Sequence, residues 1–467
     1  MILDGLGHDQ ACDLPELGRL RERGVFRALH AHVPTFTAPN VVAMLTGRAP
    51  RDSRVRLNGR GVPDRPFETV LDVALEAGWD VRCHARQFRA FPAVVGWECR
   101  HGRLAFAMDL LVDPTPPGTF DLVHVGEVDD AGHEQGPESV SYAQRALHAD
   151  RLVARVAASL DPDHDTLVVL SDHGHIPGGG HGGEEPEARD AFFLAAFGAI
   201  DRGRELPPRP MRDVASTLAQ IAGMRPLAHD LGAPMLDVFR QERRPDAREA
   251  LLHGKARLCD EWPQGIVEPT CVDSRGQQSS EVPPTTEAEL RALAMQRDAR
   301  LEAVEASART QRAALSVVIT LGATALALRV ARRPSSPALA IALLVSNLGG
   351  YAAVLGALGY RVTFSRVAGT EIFLPHAATA VGIGVFATSV AARFASRLKR
   401  PVDPALAAAA LLALGLLLAL ALYVGADPRA LAPSRAAALL FLVAPAFIGS
   451  ALAWALAGLA NEPDPQN

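Results

Sequence analysis

From Ala313 onward the sequence holds five apolar stretches, over 313–331, 337–358, 374–394, 403–424 and 435–460. Each is close to the roughly 20 residues that a bilayer-crossing helix needs. A buried all-helical core in water would not supply so many long, nearly uncharged runs in succession, so five transmembrane helices are expected. Charge divides along the same line. Residues 313–467 carry 11 Arg or Lys and 5 Asp or Glu, leaving 36 and 47 for residues 1–312. The net charge of -5 is therefore a +6 segment joined to a -11 segment, and fourteen of the 15 His lie before residue 254. These numbers exclude a disordered chain, a disulfide scaffold and a basic nucleic-acid binder. A polar domain joined to a membrane domain remains.

Loop charges give an orientation. Arg329, Arg332 and Arg333 border the first connection between spans, and Arg393, Arg397, Lys399 and Arg400 the third. The second has Arg361 and Arg366 and the fourth Arg429 and Arg435. By the positive-inside rule the first and third connections face the cytoplasm, and the N-terminal domain is extracytoplasmic. Arg297, Arg300, Arg309 and Arg312 precede the first span and oppose this, but Asp298, Glu302 and Glu305 interleave with them, as in a solvated juxtamembrane helix. An exported domain needs a signal, yet the chain opens MILDGLG, with no basic region or apolar signal core. The true start is therefore expected upstream. Of the five cysteines, Cys259 and Cys271 lie in a Pro-rich stretch where a disulfide would fit an exported domain. Cys12, Cys83 and Cys99 read as inert thiols.

Residues 1–240 alternate short apolar runs with amphipathic ones. Expected strands are Ile2–Leu3, Asp80–His84, Leu122–Val128, Thr166–Leu170 and Phe192–Phe197, and expected helices are 14–24, 39–46, 67–77, 141–160 and 211–222. Continuous apolar strands separated by helices predict an α/β domain whose mostly parallel sheet is covered on both faces. Residues 241–312 read as a linker followed by the juxtamembrane helix. In such sheets functional groups gather beyond the C-terminal strand ends. Asp4 follows the first strand, Asp129, Asp130 and His133 the third, and Asp172, His173 and His181 the fourth. One Asp-His-Gly would be weak evidence. Three Asp/His clusters at three strand ends are strong, and Asp with His but no Cys suits Zn, with Mn as the alternative.

A nucleophile must come from elsewhere. HVPTFTAPN, residues 32–40, sets hydroxyls just before a helix, with Pro39 in a first-turn position where its missing N–H costs nothing. Helix starts collect free N–H groups and partial positive charge, so a phosphoryl oxygen can rest there beside Thr37. Thr37 is equally suited to be an N-cap, and Thr35 is the alternative hydroxyl.

The opening DG, PTFTAPNVVAMLTG, VDDAGHEQGP, LVVLSDHGHIPGGGHGG and DVASTLAQIAG with GAPML together resemble the alkaline phosphatase superfamily. Within it they are most similar to the type I phosphodiesterase/nucleotide pyrophosphatase branch and the membrane-embedded GPI ethanolamine phosphate transferases. The resemblance spans roughly residues 1–240. It implies an alkaline-phosphatase-like domain with two divalent metals, Zn by preference. Asp4, Thr37, Asp172 and His173 would hold one metal, and Asp129, His133 and His181 the second. Thr37 would be the nucleophile and Asn58 a substrate-binding amide, although LNGRG is also a good turn. His175 would line the pocket, while His8, His30, His32 and His124 read as ordinary strand-edge or loop histidines. Residues 50–120 show no clear insertion for a nucleotide base. The implied function is a membrane-bound phosphotransferase or phosphodiesterase acting on a phosphoester headgroup, without a nucleic-acid polymer as partner. A tethered nucleotide pyrophosphatase and a non-catalytic membrane scaffold or transporter are the alternatives.

Overall fold

The structure, a computed structural model, describes residues 1–56, 58, 67–85, 118–262 and 286–304. The chain divides into two compact units, Met1–Ala303 and Val304–Asn467. The five expected spans lie outside the described residues. No helix among the described residues is long and apolar enough to cross a membrane.

The first unit is built on an eight-stranded sheet in the order β3-β4-β1-β5-β6-β2-β7, with β8 also paired to β2. The strands are β1 (Ile2–Leu3), β2 (Gly24–His30), β3 (Asp80–Ala85), β4 (Thr119–Val125), β5 (Leu167–Leu170), β6 (Asp190–Ala196), β7 (Arg204–Glu205) and β8 (Arg209–Pro210). β3, β4, β1 and β5 are mutually parallel, and β6 alone runs against its neighbours, antiparallel to both β5 and β2. The C-terminal ends of β4, β1, β5 and β2 therefore share one edge of the sheet.

Alternation along the strands fills two cores, one per face. Ile2, Val25, Leu29, Leu170, Phe193 and Ala195 enter one core with the helices Thr37–Thr46, Val70–Glu76 and Asp213–Ile221. Leu3, Phe26, Val169, Phe192 and Leu194 enter the other with the helices Pro15–Arg23 and Val140–Ser159. Phe192 and Phe193 are both fully buried, on opposite faces. Each contributes on the order of 2–3 kcal/mol of apolar burial. Side-chain acceptors, two local and one distant in sequence, satisfy several helix starts. Thr69 and Asp72 form a capping box, Ser139 accepts from the Tyr142 N–H, and Asp150 accepts from the N–H groups of Glu16 and Leu17.

Several elements differ from expectation. β2 was not expected, because VFRALH carries an arginine. Arg27 is nevertheless fully buried and donates to Asp237, 210 residues away in sequence. The strand expected to reach Val128 stops at Val125, and the helix Glu127–Gln135 begins almost at once. The stretch expected to be a linker contains the helix Arg248–Asp260, whose Leu251, Leu258 and Cys259 enter the first core. The segment before Val304 is solvated on one face, where Arg300 and Glu302 are exposed, but not on the other. Leu290, Leu293 and Ala294 are buried there, and Arg297, 3% exposed, pairs with Asp52 at 2.7 Å. Cys83 is disulfide-bonded rather than an inert thiol, as is Cys259, while Cys12 is free.

Candidate active site

Three neighbouring parallel strands deliver the acidic residues. Asp4 leaves β1, Asp129 stands in the first turn of the helix that follows β4, and Asp172 and His173 follow β5. Asp129 and His133, one helical turn apart, project to the same side, with Nε2 of His133 3.5 Å from Oδ2 of Asp129. The glycine-rich loop beyond β5 returns His181, whose Nε2 lies 3.4 Å from Oδ1 of Asp129 and 2.9 Å from Nε2 of His133. Thr37 comes from the same sheet edge, as the first residue of the helix that follows β2.

Thr37 is not the cap of that helix. Phe36 occupies the cap position, no side chain caps it, and the Thr37 hydroxyl turns instead into the acidic cluster. Its Oγ1 donates to Oδ1 of Asp4 at 3.4 Å and lies 3.3 Å from Nε2 of His173. Thr35, the other candidate hydroxyl, is fully engaged. It donates to the Gly183 carbonyl and accepts from the Gly182 N–H, while its own carbonyl receives Nδ1 of His181 at 2.7 Å. Buried Asn40 pins the loop before the nucleophile, accepting from the His32 N–H and donating to the carbonyls of His32, Pro34 and Phe36. Asn58 reaches the helix start, where its carboxamide oxygen accepts from the Ala38 N–H at 2.9 Å and leaves its NH₂ group as a donor.

Six of the seven residues expected as metal ligands thus fall into two adjoining sets, and the seventh, Thr37, stands against Asp4 and His173 of the first. In Asp4, Asp172 and His173, and again in Asp129, His133 and His181, one ligand atom from each residue lies within 4.8 Å of the others. The His173 and His181 rings stack at 3.8 Å between the sets. Two histidines not assigned to either set also face the carboxylates. Nε2 of His175 is 3.0 Å from Oδ1 of Asp129, and Nε2 of His124 is 3.2 Å from Oδ2 of Asp4. His124 is therefore a site residue and not an ordinary strand histidine. Its one sequence signal is an imidazole within the apolar run that ends its strand, Leu122, Val123 and Val125.

Electrostatically the cluster is out of balance. Among the described residues, the ion-pair partners of Asp4, Asp129 and Asp172 are all histidines. Burial, followed by repulsion from Asp172 and Asp129, pushes the Asp4 carboxyl well above its ordinary range. Burial and Asp129 raise Asp172 to about 7. Burial works the same way on Asp129, but the surrounding imidazoles of His133, His175 and His181 outweigh it and hold that carboxyl well below its usual value. Burial also lowers His133 to about 4 and His173 well below the usual imidazole range, so both rings are neutral at pH 7.

Tautomers follow from the outer contacts. His181 donates Nδ1–H to Thr35 and His173 Nδ1–H to Gly174, leaving both Nε2 lone pairs turned into the cluster. Oδ2 of Asp172 is buried without a hydrogen-bond donor. Three crowded carboxylates, inward lone pairs and an orphaned oxygen form a donor set suited to divalent cations of the Zn or Mn type. No thiolate takes part.

The sequence profile of type I phosphodiesterase / nucleotide pyrophosphatase matches residues 1–60 and 64–185. GPI ethanolamine phosphate transferase 3 of Eremothecium gossypii is 28% identical over 244 residues, covering 45% of this chain and 24% of that protein. The Saccharomyces cerevisiae protein of the same name is 25% identical over 134 residues, 26% of this chain and 13% of that one. The similarity thus spans about a quarter or less of either relative. Among solved structures, human ectonucleotide pyrophosphatase / phosphodiesterase 5 superposes with a TM-score of 0.44 at 13% identity, over 51% of this chain and 100% of that one. A 2-O GAG sulfatase gives a TM-score of 0.44 at 14% identity, over 52% and 74%. The profile match takes in Asp4, Thr37, Asn58, Asp129, His133, Asp172, His173 and His181.

Proposed function

We propose that the chain is a membrane-anchored, two-metal phosphoryl-transfer enzyme. Its substrate would be a phosphoester headgroup, phosphoethanolamine-like in kind, and its nucleophile Thr37. One observation carries this reading: Oγ1 of Thr37, at the start of a helix, lies within 3.4 Å of both Asp4 and His173 while the competing hydroxyl of Thr35 is tied into the 181–183 loop.

Asp4, Thr37, Asp172 and His173 would hold one divalent cation and Asp129, His133 and His181 the other. Bound there, the cations would lower the pKa of the threonine hydroxyl and neutralise charge on the phosphoryl oxygens. The chain's own part is orientation. Asn40 fixes the loop that presents Thr37, Asp4 accepts its hydroxyl hydrogen, and the NH₂ group of Asn58 is available to a phosphoryl oxygen at the positive end of the helix. Attack forms a Thr37 Oγ1–P bond as the bond from phosphorus to the leaving oxygen breaks, and that oxygen departs as an alcohol after taking up a proton. In the second step water or an acceptor hydroxyl attacks the same phosphorus, Thr37 leaves, and its hydroxyl is restored.

Transfer and hydrolysis differ only in that last acceptor. Similarity to GPI ethanolamine phosphate transferases favours transfer, and the pyrophosphatase/phosphodiesterase profile favours hydrolysis. The test is to quench turnover with a candidate diester and weigh the peptide containing Thr37. An adduct heavier than phosphate identifies a diester headgroup, and phosphate alone a monoester substrate. Full activity of Thr37→Ala with metal present, and no adduct in the wild type, would overturn the assignment.

A further inference from the structure

The acidic cluster contains an imidazole that neither ligand set uses. His175 lies two residues beyond His173 in the loop after β5, and its side chain is wholly buried. Its Nε2 stands 3.0 Å from Oδ1 of Asp129. Among the described residues neither of these atoms has a hydrogen-bond partner, and neither does Nδ1 of the same ring. The contact is short enough for a hydrogen bond but is not aligned as one. Buried polar groups are ordinarily matched by hydrogen bonds or taken up by metals, so an imidazole with both nitrogens unmatched calls for a partner. The backbone is shaped to admit this ring. A β-carbon on Gly132 would come within 2.3 Å of Nε2, and one on Gly5 within 2.8 Å. These glycines belong to the segments that carry Asp129 and Asp4, so the two acids and the space for His175 are set by the same stretches of chain.

We propose that His175 is an eighth metal-binding residue, whose Nε2 coordinates the cation held by Asp129 as a third imidazole beside His133 and His181. Neighbouring ligands of one divalent cation, each about 2.0–2.1 Å from it, stand about 3 Å apart. That is the spacing of Nε2 and Oδ1 here, and a shared cation satisfies both atoms where a misaligned proton cannot. The three rings are gathered round the Asp129 carboxylate, with centroids 5.3 Å apart for His133 and His175, 5.2 Å for His175 and His181, and 4.6 Å for His133 and His181. One ligand atom from each of Asp129, His173 and His175 also falls within 4.8 Å of the others, so His175 approaches Asp129 from the side of the first set. The inference rests on the two-metal reading above and adds a ligand to it.

The experiment measures zinc binding to the full, metal-stripped chain by competition with a chromophoric chelator, and records the absorption spectrum of the cobalt-loaded form. The wild type is expected to bind two zinc ions. His175→Phe keeps a ring in the space between Gly5 and Gly132 but offers no lone pair. It should weaken one of the two sites by more than the roughly 10- to 100-fold that loss of a partner behind a ligand costs, and it should shift the cobalt bands of that site. His175→Ala is the second variant if phenylalanine prevents folding. Its lost affinity and altered cobalt spectrum should return toward wild type when free imidazole is added, which a packing role would not produce. A phenylalanine variant with the wild-type cobalt spectrum would overturn the proposal at any affinity while leaving the two-metal reading intact. So would an alanine variant that imidazole does not restore. A wild type that binds no zinc would instead overturn the two-metal reading, and this inference with it.

Discussion

The first unit buries two dense clusters of charge, and they are built on opposite principles. Around the helix Arg248–Asp260 and the segment 287–303, the buried and half-buried acids Asp52, Asp213, Glu261, Glu287 and Asp298 each meet a guanidinium. Arg48 grips Glu261 with both nitrogens at 2.7 and 2.6 Å, Arg297 takes Asp52 at 2.7 Å, Arg212 takes Asp298 at 2.6 Å, and Arg209 takes Asp213 at 2.8 Å. At the sheet edge, Asp4, Asp129 and Asp172 crowd together, and among the described residues their ion-pair partners are imidazoles alone. Balanced pairs with short, forked contacts are what a fold keeps for its own cohesion. Unbalanced like charges cost folding free energy, and their retention points to a ligand that supplies the missing positive charge. One cluster is complete as it stands, and on the proposed two-metal reading the other is completed by cations.

Neutralising a charge should therefore have opposite consequences in the two places. Asp172→Asn is expected to reduce turnover at least about a thousandfold, as removal of one member of a cooperating catalytic set does. In metal-free protein the same substitution should leave the melting temperature unchanged or raise it, because it relieves repulsion with Asp4 and Asp129. A drop in the metal-free melting temperature would mean that the acidic cluster is structural after all. Chelation sharpens the point. Zinc at about a thousand times its dissociation constant stabilises a single-site protein by about 4 kcal/mol, so stripping metal from the wild type should lower its melting temperature by several degrees. Asp172→Asn should respond much less.

The complementary change is Arg297→Met. Breaking a buried pair from one side costs about 3 to 5 kcal/mol, because the partner is left uncompensated, and here Asp52 is nearly as buried as Arg297. Urea unfolding should show that loss, while kcat/KM measured well below the new melting temperature stays close to the wild-type value. Equal loss of stability in Asp172→Asn and Arg297→Met would erase the distinction between the clusters. The same dock bears on where the catalytic unit ends. Leu258, Leu290 and Arg297 are all buried in it, so a chain cut at residue 240 should be markedly less stable than one cut at 303.

How far these features could be read from sequence depends on whether the deciding partner is local. Asp4, Asp172 and His173 follow short apolar runs directly, so strand ends alone locate them. Thr37 stands in a PTFTAPN segment whose proline marks the helix start. Asp129 and His133 were legible as residues but not as a helical pair, because EVDDAGHEQ has only Val128 and Ala131 as apolar anchors and the helix starts two residues after its strand. Arg27 concealed β2, since its partner Asp237 arrives from the far end of the domain. Arg297 read as solvated for the same reason, and nothing near it in sequence announces Asp52. His124 needed the β1–β4 register, which no local pattern carries.

The buried carboxyl of Asp230 belongs to neither cluster. Asp230 lies against Gly47, the left-handed residue that ends the Thr37 helix, where any β-carbon would collide with the Asp230 carboxyl at 1.8 Å. It accepts the Gly232 N–H at 2.6 Å, yet burial pushes it up to about 8, with Arg212 too weak an influence to hold it down. Its folded pKa is thus above its unfolded one, so the native state keeps a proton that the unfolded state gives up. The resulting stability is fully present below the ordinary carboxylate range and is lost as the pH rises toward 8, at no more than about 1.4 kcal/mol per pH unit. Asp230→Asn retains the acceptor oxygen and cannot ionise. Melting temperatures of wild type and variant, measured with metal-saturated protein, should agree near pH 4 and diverge steadily up to pH 8, with the variant the more stable. Parallel curves would mean that Asp230 is ionised in the fold and held by Arg212, which would move it into the balanced cluster.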